Sequence, residues 1–78
     1  MRTQPASVPA RISVKSILRA VRNPYLSLYR GEGYWYFVLD DGGDLFEEQS
    51  VPVMRLNQLS FSEWVDEGRA FCNRVMGK

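Results

Sequence analysis

The chain has 78 residues, ten Lys or Arg, nine Asp or Glu, no histidine, one cysteine and a net charge of +1. That length is one domain's worth of polypeptide, burying only about 60% of its unfolded surface, and the near-neutral charge does not point to bulk attraction to nucleic acid or to an anionic membrane. The missing histidine removes the commonest general base, the commonest metal ligand and the usual pH switch.

Cys72 has no partner for an intrachain disulfide, which points to a reducing, cytoplasmic setting. The first residues lack the apolar stretch of a signal peptide, and no apolar run approaches the ~20 residues that cross a bilayer.

Residues 1–10, with Pro5 and Pro9 among small polar residues, have no periodicity and read as a flexible tail. From Ser13 to Arg22 the pattern is helical, with Ser13 as N-cap and Val14, Ile17, Leu18 and Val21 in one apolar stripe. Lys15, Arg19 and Arg22 form a basic stripe beside it, either a solvated face or a ridge for phosphates or an acidic partner. Asn23-Pro24 stops this helix, since proline disfavours helical geometry in the residue before it.

Tyr25 to Arg30 alternates as a strand, and Gly31-Glu32-Gly33 turns the chain into a second strand, Tyr34 to Leu39. This uninterrupted large-residue run predicts a strand that is covered, or meant to be covered, on both faces. Alternation assigns Leu26, Leu28, Trp35, Phe37 and Leu39 to a core face, and Tyr25, Tyr29, Tyr34 and Tyr36, with Val38, to the other. Asp40-Asp41-Gly42-Gly43-Asp44 is a hairpin turn in which both glycines are expected to supply positive φ. The third strand is expected over Leu45 to Met54, interrupted around Ser50 to Pro52, where it should be an edge or bulge. Asp40, Asp41, Asp44, Glu47 and Glu48 gather five acids here. Three aspartates on a tight turn lack the loop that wraps calcium, so the readings are a solvated, aggregation-resistant edge or a patch for a basic partner.

After a connector, Arg55 to Leu59, comes the second helix, Ser60 to Val75. Ser60 and Glu63 match a capping box, Leu59 and Trp64 a hydrophobic staple, and Gly77 a C-terminal cap. Gly68 weakens a helix interior and predicts close approach to the sheet, while Cys72, near the apolar face, reads as a buried, inert thiol. The order is helix, three antiparallel strands, helix: an α+β two-layer sandwich spanning residues 11–78 as one domain.

Catalytic sets are missing from the pattern. There is no Ser-His or Cys-His pair, no zinc cluster, and Gly31-Glu32-Gly33 lacks the spacing and the Lys-Ser/Thr ending of a phosphate loop. The expectation is a protein that is not an enzyme and uses no cofactor or metal.

The run Gly31-Glu32-Gly33-Tyr34-Trp35-Tyr36-Phe37, followed by Asp40-Asp41-Gly42, Val51, Leu56-Asn57-Gln58-Leu59 and Trp64-Val65, resembles a group of small phage and prophage proteins of proteobacteria. The resemblance runs roughly from Val14 to Phe71. Proteins of this size and origin include anti-CRISPR proteins, so it implies a host-cytoplasmic inhibitor of a type I CRISPR effector or its nuclease. It carries no catalytic motif. The expected partner surfaces are Tyr25, Tyr29, Tyr34 and Tyr36, and the acids Asp40, Asp41, Asp44, Glu47 and Glu48. Reversing charge at Asp40, Asp41 and Asp44 is expected to weaken binding while sparing the fold. The alternative is a nucleic-acid-binding module, with tyrosines stacking bases and Lys15, Arg19 and Arg22 holding phosphates. The tyrosine face is also a candidate homodimer interface.

Overall fold

A computed structural model describes residues 12–77. The expected tail, 1–10, together with Arg11 and Lys78, lies outside the described residues. The elements are α1 (Val14–Val21), β1 (Leu26–Arg30), β2 (Trp35–Asp40), β3 (Phe46–Val51) and α2 (Phe61–Met76), with one 3-10 turn at Leu56–Gln58. The fold is α+β, and β2 lies between β1 and β3 in an antiparallel sheet.

Each helix begins where its side chains replace missing backbone partners. At α1 the Ser16 N–H donates to the Ser13 hydroxyl (3.1 Å), and the Ser13 N–H donates back to the Ser16 hydroxyl (3.3 Å). A serine thus does at α1 what Glu63 does at α2, where the Glu63 N–H donates to Ser60 Oγ (3.1 Å) and the Ser60 N–H to Glu63 Oε1 (2.8 Å). The end of α1 differs from expectation. Arg22 takes the left-handed conformation, φ 68°, and its N–H reaches the Leu18 carbonyl, so the stop is already made before Pro24. Asn23 then shapes the turn, its Oδ1 accepting the Tyr25 N–H at 2.9 Å.

Both helices lie against one face of the sheet. Ile17 and Val21 of α1, Leu26 and Leu28 of β1, Phe37 and Leu39 of β2, Val51 of β3 and Trp64, Val65, Phe71 and Cys72 of α2 form one buried cluster. Phe37 stands at its centre, edge-on to Trp64 (5.9 Å between ring centroids) and tilted against Phe71 (6.2 Å). Gly68 has the close approach its position predicts. A Cβ there would lie 2.9 Å from Val21 Cγ2 and 3.4 Å from the Phe37 ring, so glycine lets α2 settle against α1 as well as against the sheet.

The connector between β3 and α2 is held by long-range bonds. Trp64 Nε1 donates to the Leu56 carbonyl at 2.6 Å and Trp35 Nε1 to the Met54 carbonyl at 3.2 Å. Gln58 Oε1 accepts the N–H groups of Met54 and Arg55. At the opposite end, Arg69 donates to the Ala20 carbonyl (3.1 Å), filling a vacant acceptor in the last turn of α1. β3 ends at Val51, within the expected interruption, because Pro52 has no N–H to continue the ladder, and no strand resumes beyond it towards Met54.

Candidate interaction surface

The register separates the sheet's two faces. Leu26 pairs with Leu39, Leu28 with Phe37 and Arg30 with Trp35, all on the helix side. Ser27 pairs with Val38 and Tyr29 with Tyr36 on the other side. Among the described residues nothing covers that second face. The helices thus cover one face of β2, and the second, which its large residues mark as meant to be covered, is roofed among the described residues only by its own side chains. Val38 is 7% exposed there because its neighbours are large, while Tyr29 at 50% and Phe46 at 57% remain open to solvent.

The tyrosines make a continuous row across the sheet. Tyr29 and Tyr36 are cross-strand partners with ring centroids 5.6 Å apart, and Tyr36 meets Tyr34 at 5.8 Å, both pairs tilted. Tyr34 is fixed from below by Gly31: a Cβ at residue 31 would fall within 2.5 Å of the Tyr34 ring, and the Gly31 N–H donates to the Tyr34 carbonyl at 2.8 Å. The β1–β2 turn therefore lays a ring over a glycine, which places Tyr34 beside Tyr36 without a strand beneath it.

Beside this row is a shallow depression of about 390 Å³. Tyr25, Tyr29 and Tyr36 line it, with Phe46 and Val38. Pro24 and Ser27 complete the rim on the β1 side, and Asp40 and Glu48 bring two carboxylates to the other. Of the nine candidate partner-binding residues, the fold thus gathers Tyr25, Tyr29, Tyr36, Asp40 and Glu48 in one place and sets Tyr34 next to it.

The other acids are dispersed. Glu47 pairs with Leu39 and so lies on the helix-side face of the sheet, opposite to Glu48, which pairs with Val38. Asp41 and Asp44 are in the hairpin turn beyond the strands, both exposed. Two of the aspartates build that turn. Asp40 Oδ1 accepts the Gly42 N–H (2.9 Å), and Asp41 Oδ1 accepts the N–H groups of Gly43 (2.8 Å) and Leu45 (3.3 Å). With the turn held this way, only Gly42 of the two adjacent glycines needs positive φ, at 81°. Charge reversal at Asp40 and Asp41 would remove these turn bonds along with the charges; Asp44 is the acid in the turn without such a bond. No group of three or more Asp, Glu, Cys or His among the described residues is arranged to hold a metal ion.

Phe46 is a further residue of this face, on the same side of the sheet as its partner Asp40.

Lys15, Arg19 and Arg22 are all exposed on or just after α1, in the helical layer behind the sheet. They share no surface with the tyrosine row. Cys72 is buried in the core, and burial pushes its thiol pKa up, with a hydrogen bond from Asn23 acting in the opposite direction. No described helix is long and apolar enough to cross a membrane.

No protein family, curated protein or solved structure matches the chain.

Proposed function

We propose that this protein is a non-enzymatic binding module whose interface is the open face of the sheet, and that its most concrete role is inhibition of a bacterial defence complex, a type I CRISPR effector or its nuclease. The observation that carries the reading is the row Tyr34–Tyr36–Tyr29, with Tyr25 and Phe46 lining the depression beside it, left uncovered on a three-stranded sheet. Aromatic side chains of this kind supply large contact area at small entropic cost and are the residues that dominate binding energy at interfaces. The CRISPR assignment rests on the phage-protein resemblance.

The alternative, a nucleic-acid module, needs cations beside the stacking rings. The rings here are accompanied by Asp40 and Glu48, and the basic residues of α1 are on the other layer. Phosphates approaching the tyrosine row would meet carboxylates.

The test is the plating efficiency of a phage targeted by a type I CRISPR system in cells that express this protein. The reading expects plaques to be restored, and expects the Tyr29→Ala/Tyr36→Ala variant, shown folded by circular dichroism, to lose most of that effect. Undiminished restoration by this variant would remove the tyrosine face from the interface. Failure to restore plaques across type I subtypes would remove the anti-CRISPR role.

A further inference from the structure

We propose that the depression on the open face receives an arginine side chain from an extended basic segment of the partner protein, with Asp40 and Glu48 taking the guanidinium and Tyr29, Tyr36 and Phe46 forming its walls. This rests on the reading of the open face as the interface and names the chemistry of what binds there.

Charge decides among the possible occupants. Among the described residues the lining contains two carboxylates and no lysine or arginine. The face of an aromatic ring attracts cations, and a planar, weakly hydrated guanidinium stacks on such rings while donating to carboxylates. A site with several aromatic walls and an acidic edge therefore fits arginine better than a neutral or anionic group. None of the described cations lines it: Lys15, Arg19 and Arg22 belong to the helical layer, Arg30 is on the helix-side face of β1, Arg55 is in the connector, and Arg69 and Arg74 are on α2. Asp40 already accepts one turn N–H through Oδ1, but an ionised carboxylate has about four acceptor positions, which leaves capacity for a ligand. The volume, about 390 Å³, is at the small end of ligand clefts and suits a side chain more than a cofactor.

The same argument disfavours the other occupants. Two copies joined through this face about a two-fold axis would bring Asp40 and Glu48 of each copy towards like charges. A nucleic acid would bring phosphates towards them.

The experiment is an amide-resolved NMR titration of the full chain with a capped glycine pentapeptide containing two arginines. Its citrulline counterpart, equal in shape but uncharged, and an oligothymidine serve as comparisons. The proposal expects saturable shifts at Tyr29, Tyr36, Val38 and Glu48 with the arginine peptide alone. In the Asp40→Asn/Glu48→Gln variant, which keeps an acceptor for Gly42, it expects affinity to fall at least about tenfold, the scale of one lost charge-assisted hydrogen bond. Absence of saturable shifts overturns it. So do shifts centred on Glu63, Asp66 and Glu67 of α2, an equal response to citrulline, or a response of this face to oligothymidine. The double variant also enters the plating assay. If it restores plaques like the parent while Tyr29→Ala/Tyr36→Ala does not, arginine recognition fails and the interface reading stands.

Discussion

At Gly68 two residue-level effects oppose each other. Alanine favours a helix interior over glycine by about 1 kcal/mol, which alone would make Gly68→Ala stabilising. Here the added methyl would lie 2.9 Å from Val21 Cγ2. Val21 is β-branched and buried, so it has few rotamers with which to yield. Overpacking of this kind costs about 1–3 kcal/mol, and we expect Gly68→Ala to lower stability by roughly 1 kcal/mol net in urea unfolding. A stabilised variant would mean that the α1–α2 contact is looser than its geometry. Cys72 gives a second residue-level prediction. Its thiol is protonated more tightly in the folded state than in the unfolded one, because burial penalises the thiolate. The folded chain therefore holds the proton as pH rises above the ordinary value of 9.0, and stability contributed by this group falls from there up to the folded pKa. Below 9.0 the group contributes no slope. Comparing the stability of the parent with that of Cys72→Ala between pH 7 and 10 isolates this component: the parent should lose more than the variant across the upper part of the range. An identical pH dependence in the two proteins would show that the thiol is solvated.

Among the elements, the β2–β3 hairpin shows how one acidic stretch divides into different roles. Asp41 Oδ1 accepts two backbone N–H groups, those of Gly43 and Leu45, and so holds the turn. Removal of that acceptor in Asp41→Ala is expected to cost about 1–2 kcal/mol, whereas Asp41→Asn, which keeps a carbonyl oxygen, should retain most of the stability. Asp44→Asn should be close to neutral. Thermal melts of the three variants check this ordering, and equal losses at 41 and 44 would show that the turn is held by strand pairing alone. The same hairpin shows what was legible in the sequence. Strand alternation separated the leucines from the tyrosines in β1 and β2 because each residue type there is unambiguous. The capping box at Ser60 and Glu63 and the need for glycine at 68 were equally local signals. The division of Glu47 from Glu48 was lost because the turn hid where β3 begins, and a one-residue change in that start exchanges the faces. The indole bonds from Trp35 and Trp64 to the connector were not legible at all. They join residues 19 and 8 positions apart in the chain, and only the packed core brings them together.

For the molecule as a whole, the distribution of charge matters more than its total. A net charge of +1 conceals a sheet face whose depression is lined, among the described residues, by carboxylates and no cations, and a helical layer bearing Lys15, Arg19 and Arg22. The aromatic surface invites self-association, as expected for an exposed patch of rings. The carboxylates oppose it for any pairing of this face with itself. These two forces respond differently to salt. Raising ionic strength from 0.01 M to 1 M shortens the screening length from about 30 Å to about 3 Å, which weakens like-charge repulsion and leaves apolar attraction in place. We therefore expect a concentration-independent species of 9.0 kDa at low salt. Any self-association should strengthen as salt is added and disappear in Tyr29→Ala/Tyr36→Ala. Sedimentation velocity at two protein concentrations and two salt concentrations measures this. Association that is strongest at low salt would have the opposite origin. It would place the basic residues of α1 in one copy against the acids of another, a head-to-tail contact between unlike surfaces, and the tyrosine face would then have to be reconsidered as one half of a chain of copies.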